Sequence, residues 1–210
     1  MNRLTAILGL AYVAVIAGVI VVGPFGYPGY DSLGQHISEM GATGAPHGPT
    51  ISALFIASSV LMIAFWLLCL KALPFNTLRA AGLTLLAANG AGLLGAGVYP
   101  CDFECARTDP SVAQQLHDLF GGLGYLSGVL GLFLLALGLR SLDGWSRLFP
   151  LVMFCAVAAA LSFPLIAPEF PWHGAAQRVL EAAFMVAILA VAVRLWRASA
   201  RRHETVTDAL

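Results

Sequence analysis

The chain has 210 residues, 59% of them hydrophobic and only 10% charged, with 11 Lys and Arg balancing 11 Asp and Glu. Soluble domains carry about a quarter charged residues, so this composition excludes an ordinary water-soluble globule and points to a chain solvated largely by lipid. No basic face is available for nucleic acid outside the tail; membrane lipids are the partners the composition implies, and it carries no signal for oligomeric state.

Six apolar runs follow one another at about 4–23, 51–70, 80–99, 112–139, 148–167 and 174–197. Each is close to the roughly 20 residues that carry a helix across a hydrocarbon core. Lipid supplies no hydrogen bonds to the backbone, so each run is expected as a helix. The fold class is therefore all-α: a polytopic six-helix membrane bundle, one domain over 1–203, with a short tail at 204–210. The first run exceeds the about 7–15 residues of a signal-peptide core and reads as a retained span.

Lys and Arg set the orientation. Arg3, Lys71, Arg79, Arg140, Arg147, Arg194, Arg197, Arg201 and Arg202 fall on one side, and only Arg107 and Arg178 on the other. The basic side is the expected cytoplasmic one, with both termini on it. Three loops, at about 24–50, 100–117 and 168–174, are then extracytoplasmic. They collect His36, His47, His117 and His173, four of the five histidines, with most of the acidic residues.

The first of these loops, YDSLGQHISEMGATGAPHGP, has helical punctuation. Ser32 with Gln35 reads as a capping box and Gly41 as a stop. Leu33, Ile37 and Met40 form an apolar stripe, predicting a short helix at the interface or over the bundle. The second loop ends in Ser111 and Gln114, a second capping box, so the fourth helix is expected to start near Val112. Gly121, Gly124 and Gly128 follow His117 on one face, and Gly82, Gly92 and Gly95 make the third span their expected neighbour. Pro164 is expected to kink the end of the fifth helix. In the sixth, His173, Gln177 and Glu181 share a face. Glu181 is too deep to be left in lipid, and Arg178 is its expected ion-pair partner.

Cys69 and Cys155 lie in apolar runs and read as small buried hydrophobes. Cys101 and Cys105 share one extracytoplasmic loop, where an oxidising compartment favours a local disulfide. No CxxC or zinc-finger spacing is present.

Three stretches carry a family resemblance: HISEMGATGAP after the first span, GVYPCD closing the third with His117 opening the fourth, and WHGAAQRVLE entering the sixth. In order and spacing they resemble the prokaryotic membrane-protein family catalogued as domain of unknown function 998, and the likeness covers essentially the whole chain. It implies a multi-pass protein of the prokaryotic inner (cytoplasmic) membrane. The first motif also resembles a eukaryotic six-helix family that includes autophagy modulators and GPI-anchor lipid-remodelling proteins, which implies an association with lipids. Neither resemblance carries a reaction.

The residues allow two readings. In one the protein is a lipid-directed hydrolase or acyl transferase. His36, His117, His173 and Asp102 supply ligands that zinc accepts, and a zinc-bound water attacks an ester or amide near neutral pH. Glu39 or Glu181, with Arg178 beside it, takes the proton, and Ser38 steadies the oxyanion. The inventory resembles that of alkaline-ceramidase and adiponectin-receptor hydrolases, without their paired histidines inside one span. In the other reading the same loops hold a lipid headgroup or a partner protein without chemistry, and Arg178 with Glu181 is structural.

Overall fold

The computed structural model describes the backbone of residues 2–207 and the side chains of residues 2–200; residues 208–210 of the expected tail lie outside them. Six α-helices run through the described residues: α1 Asn2–Val22, α2 Gly48–Ala72, α3 Thr77–Val98, α4 Val112–Arg140, α5 Phe149–Ser162 and α6 His173–Thr207. Among the described residues there is no strand. All six are long and apolar enough to cross a membrane, α5 together with the 3-10 turns that flank it over Ser146–Ile166. At Pro164 the α-helical pattern gives way to a 3-10 turn, Phe163–Ile166, because proline lacks the N–H that would continue it.

Packing follows chain order, each helix against the next, and α1 against α6 closes the ring. Its centre is filled by Tyr12, Phe65, Trp66, Leu132, Phe184 and Ile188, all essentially inaccessible to solvent. The tightest seam is α3 on α4. A Cβ on Gly92 would run into the Gly124 backbone, and one on Gly82 would lie 2.6 Å from Leu135 N. The glycine face expected on α4 divides its work. Gly124 meets α3, Gly128 makes room for Phe184 of α6, and Gly121 borders open space.

At the basic end, Arg79 is buried, and among the described residues no carboxylate pairs with it. Its guanidinium donates to Pro74 O at 3.0 Å and to Gly138 O at 2.7 Å. The second contact joins α3 to the last turn of α4, where carbonyls lack intrahelical partners and a cation is favoured.

At the opposite end the three connecting loops lock together. Thr43 N donates to Cys101 O at 2.8 Å and Ala175 N to Leu33 O at 3.0 Å. The first loop departs from its expected form. Asp31, not Ser32, is the cap: its carboxylate accepts from Leu33 N and Gly34 N, while Gln35 Oε1 accepts from Asp31 N. A short side chain one residue earlier reaches those amides, so the turn closes before a helix can propagate. The chain then makes only a 3-10 turn, Ile37–Gly41. Ile37 and Met40 are buried, whereas Leu33 is 58% exposed, so the expected stripe loses its first member.

Candidate functional site

His36, His117 and His173 come from the first loop, α4 and the start of α6, and all three line one cavity of about 530 Å3 at the loop end. Each ring is tied to main-chain carbonyls. His36 Nε2 lies 2.9 Å from Ile166 O, and His173 Nδ1 lies 2.9 Å from Phe170 O. His117 Nδ1 lies 3.0 Å from Ala96 O and 2.9 Å from Tyr99 O. A carbonyl only accepts, so each of these nitrogens carries the proton. The other nitrogen of each ring is not engaged by these carbonyls.

The rings of His36 and His173 stack at 4.2 Å between centroids. Beneath them Glu39 is buried: one carboxylate oxygen accepts from His36 N at 2.8 Å and lies 3.3 Å from His36 Nδ1, while the other accepts from Gln35 Nε2 at 2.8 Å. His36, Glu39 and His173 present ligand-type atoms within 4.8 Å of one another. His117 does not join them. It stands on the α4 wall beside the cysteine sulfurs. His47 lies elsewhere, against Gly26.

Asp102 departs from the expected ligand set. It does not line the cavity. Its two oxygens accept from Ser111 N at 2.9 Å and Ser111 Oγ at 2.7 Å, and these bonds hold the carboxyl below the usual carboxylate range. Ser111 caps α4 as expected, accepting from Gln114 N at 3.1 Å. The Gln114 side chain does not fold back to complete the box; it accepts from Asp102 N and donates to Asp118. Cys101 and Cys105 are joined as a disulfide. Ser38 Oγ sits 3.6 Å from Cys105 Sγ, and among the described residues no imidazole is hydrogen-bonded to it.

Below the cavity lies a narrower hollow of about 70 Å3, several times the about 10–15 Å3 that one water needs, walled by Ile16, Ile20, Phe55 and Met62 with Glu181, Asn89 and Gln177 among its polar groups. Ser38, His117, Gly121, Tyr125 and Gln177 border both spaces. A wider, more polar chamber thus adjoins a narrower, more apolar one across a shared wall.

Glu181 faces the bundle, as its depth requires, but its partner is not Arg178. Tyr125 Oη donates to Glu181 Oε1 at 2.8 Å, Gln177 Nε2 donates to Tyr125 Oη at 2.9 Å, and Ile37 N donates to Gln177 Oε1 at 2.6 Å. Arg178 turns the other way. It donates to Gln35 O and Gly174 O, each at 3.0 Å, and to Tyr30 Oη at 2.7 Å. Burial raises the Tyr30 pKa, with Arg178 opposing, and the phenol donates onward to His36 O at 2.7 Å. Residues 178 and 181 are three apart, but a loop carbonyl, a carbonyl of the first turn of α6 and the Tyr30 phenol offer the guanidinium three acceptors without drawing it into the core.

The model of the family DUF998, described as "Protein of unknown function", matches residues 8–194. The chain belongs to this family. No curated protein and no solved structure matches it.

Two DUF998 site residues carried no clear sequence signal as functional groups, Tyr30 and Tyr125. Each sits among apolar or turn residues and counts there as an aromatic. For Tyr125 a signal existed: His117, Gly121 and Tyr125 are spaced four apart on α4, which places the phenol on the face that carries the histidine.

Proposed function

We propose that this DUF998 protein is a lipid-directed enzyme of the extracytoplasmic leaflet that hydrolyses or transfers an acyl group. The orientation comes from the basic residues clustered at the end opposite the histidines. One observation carries the reading: histidines from three separate segments line a single cavity, each with one nitrogen fixed on a carbonyl and the other left to act. The adjoining apolar hollow suits the first carbons of an acyl chain, with the headgroup in the polar chamber.

His117 has the arrangement of a general base. With Nδ1–H held by two carbonyls, Nε2 can take a proton from water as that water adds to the ester carbonyl carbon. The acyl–oxygen bond then breaks, the proton passes to the departing alkoxide, and a fatty acid and a lysolipid result. In transfer, a second alcohol replaces water. Ser38, without a hydrogen-bonded base, fits a donor to the carbonyl oxygen better than a nucleophile.

Glycerophospholipid vesicles mixed with the purified protein, followed by mass spectrometry, test this. Wild type should release fatty acid, and His117→Ala should lose at least about 100-fold of the rate, the scale of general-base catalysis. Stoichiometric lipid bound by wild type without any turnover would instead establish the non-enzymatic binding reading, which the apolar hollow also favours.

A further inference from the structure

We infer that His36, Glu39 and His173 form a three-ligand site for a transition-metal dication, zinc by its chemistry, with the open position facing the 530 Å3 cavity. This deepens the proposed hydrolytic function and rests on that reading only for the use made of the metal.

The hydrogen bonds assign the free lone pairs. Ile166 O takes the proton of His36 Nε2, so Nδ1 is the ring atom open to a metal ion. That atom faces Glu39 Oε1 at 3.3 Å. The two meet either with Nδ1 protonated or with a metal ion held between them. His173 is arranged alike: its Nδ1–H is spent on Phe170 O, leaving Nε2 as the ligand atom. Metal-binding histidines characteristically donate their other N–H to a carbonyl or carboxylate, which fixes tautomer and orientation.

The donor set is two imidazoles and one carboxylate. That is a set found at catalytic zinc, where the fourth position is held by water. The elements that carry it are braced from outside. Tyr30 Oη donates to His36 O, Gln177 accepts from Ile37 N, and Gln35 Nε2 holds the second Glu39 oxygen. The ligand atoms lie within 4.8 Å of one another, whereas bonds of 2.0–2.1 Å place tetrahedral ligands about 3.3 Å apart. A ligand bond lies in the plane of its ring, so the stack of His36 on His173 opens as the three atoms close on the ion. In this assignment Glu39 is a ligand, and His117 remains free as the base.

Protein purified in detergent and stripped with a chelator is titrated with Zn2+ or Co2+ and followed by metal analysis and visible absorption. One ion per chain is expected, with the d–d bands of tetrahedral Co2+. His36→Ala, His173→Ala and Glu39→Gln should each weaken binding at least about 10-fold, the lower bound for losing a partner of such a site. His117→Ala and His47→Ala should leave affinity and spectrum unchanged, and the circular dichroism of each variant reports whether it is folded. Should His173→Ala fail to fold, Glu39→Gln and His36→Ala decide alone. Wild type binding no ion, or losing it on His117→Ala but not on Glu39→Gln, would overturn the site. Zinc bound without lipid turnover leaves the site standing and removes the hydrolytic reading. Turnover that survives complete metal removal keeps the hydrolytic reading and overturns the use made of the metal.

Discussion

The Tyr125 phenol donates to the buried carboxylate of Glu181 at 2.8 Å, linking α4 to α6 through the middle of the bundle. A polar group buried in a bundle must be paired within the protein, and one left unpaired costs about 1–3 kcal/mol. Tyr125→Phe should therefore lower thermal stability by that order. Glu181→Gln, which keeps an acceptor for the phenol, should cost less than Glu181→Ala. Thermal unfolding in detergent measures all three.

Arg178 joins three acceptors from the first loop and α6 that no shorter or single-pointed cation reaches together. Arg178→Lys should keep the charge but lose the fork. The expected outcome is faster protease cleavage within residues 27–36, with α6 intact. Cleavage at the wild-type rate would mean the loop is held by other contacts.

The seam between α3 and α4 has no room for a methyl group at Gly92, whereas a Cβ added to Gly18 of α1 would meet nothing within 4 Å. Gly92→Ala should destabilise by about 1–3 kcal/mol, the usual cost of overpacking. Gly18→Ala should be neutral. A paired melting experiment on the two variants separates packing from any general effect of glycine loss.

Asp102 is held by an exposed network with Ser111, which depresses its folded pKa. Its contribution is therefore present above the ordinary aspartate pKa of about 3.9 and is lost as pH falls through the lower folded value. Amide exchange at Ser111 and in the first turn of α4 should accelerate over that acidic range. Asp102→Asn should abolish this pH dependence.

The helices were legible because a 20-residue apolar run in lipid has only one way to satisfy its backbone. Val112 as the start of α4 and Pro164 as the end of α5 followed from local chemistry, a serine cap and a missing N–H. The pairing of Cys101 with Cys105 was suggested by two cysteines four apart in one loop. The partners of Glu181, Arg178 and Asp102 did not, because each is chosen by tertiary placement. Tyr125 reaches Glu181 from another helix, the Gln35 carbonyl lies 143 residues from Arg178 in the chain, and Asp102 is claimed by Ser111 across its own loop. Sequence spacing shows which groups can meet, whereas packing decides which do.

The proposed chemistry requires one water-filled chamber, open to the extracytoplasmic side and walled by the three histidines. Gly121 borders the cavity and has nothing within 4 Å of an added Cβ. The native cysteines are silent, since Cys69 and Cys155 are buried and Cys101 is paired with Cys105. Intact cells carrying Gly121→Cys are treated with a membrane-impermeant charged thiol reagent. Rapid labelling from outside is expected; labelling only after the cytoplasmic side is opened, or none while the folded protein is present, would rule out such a chamber.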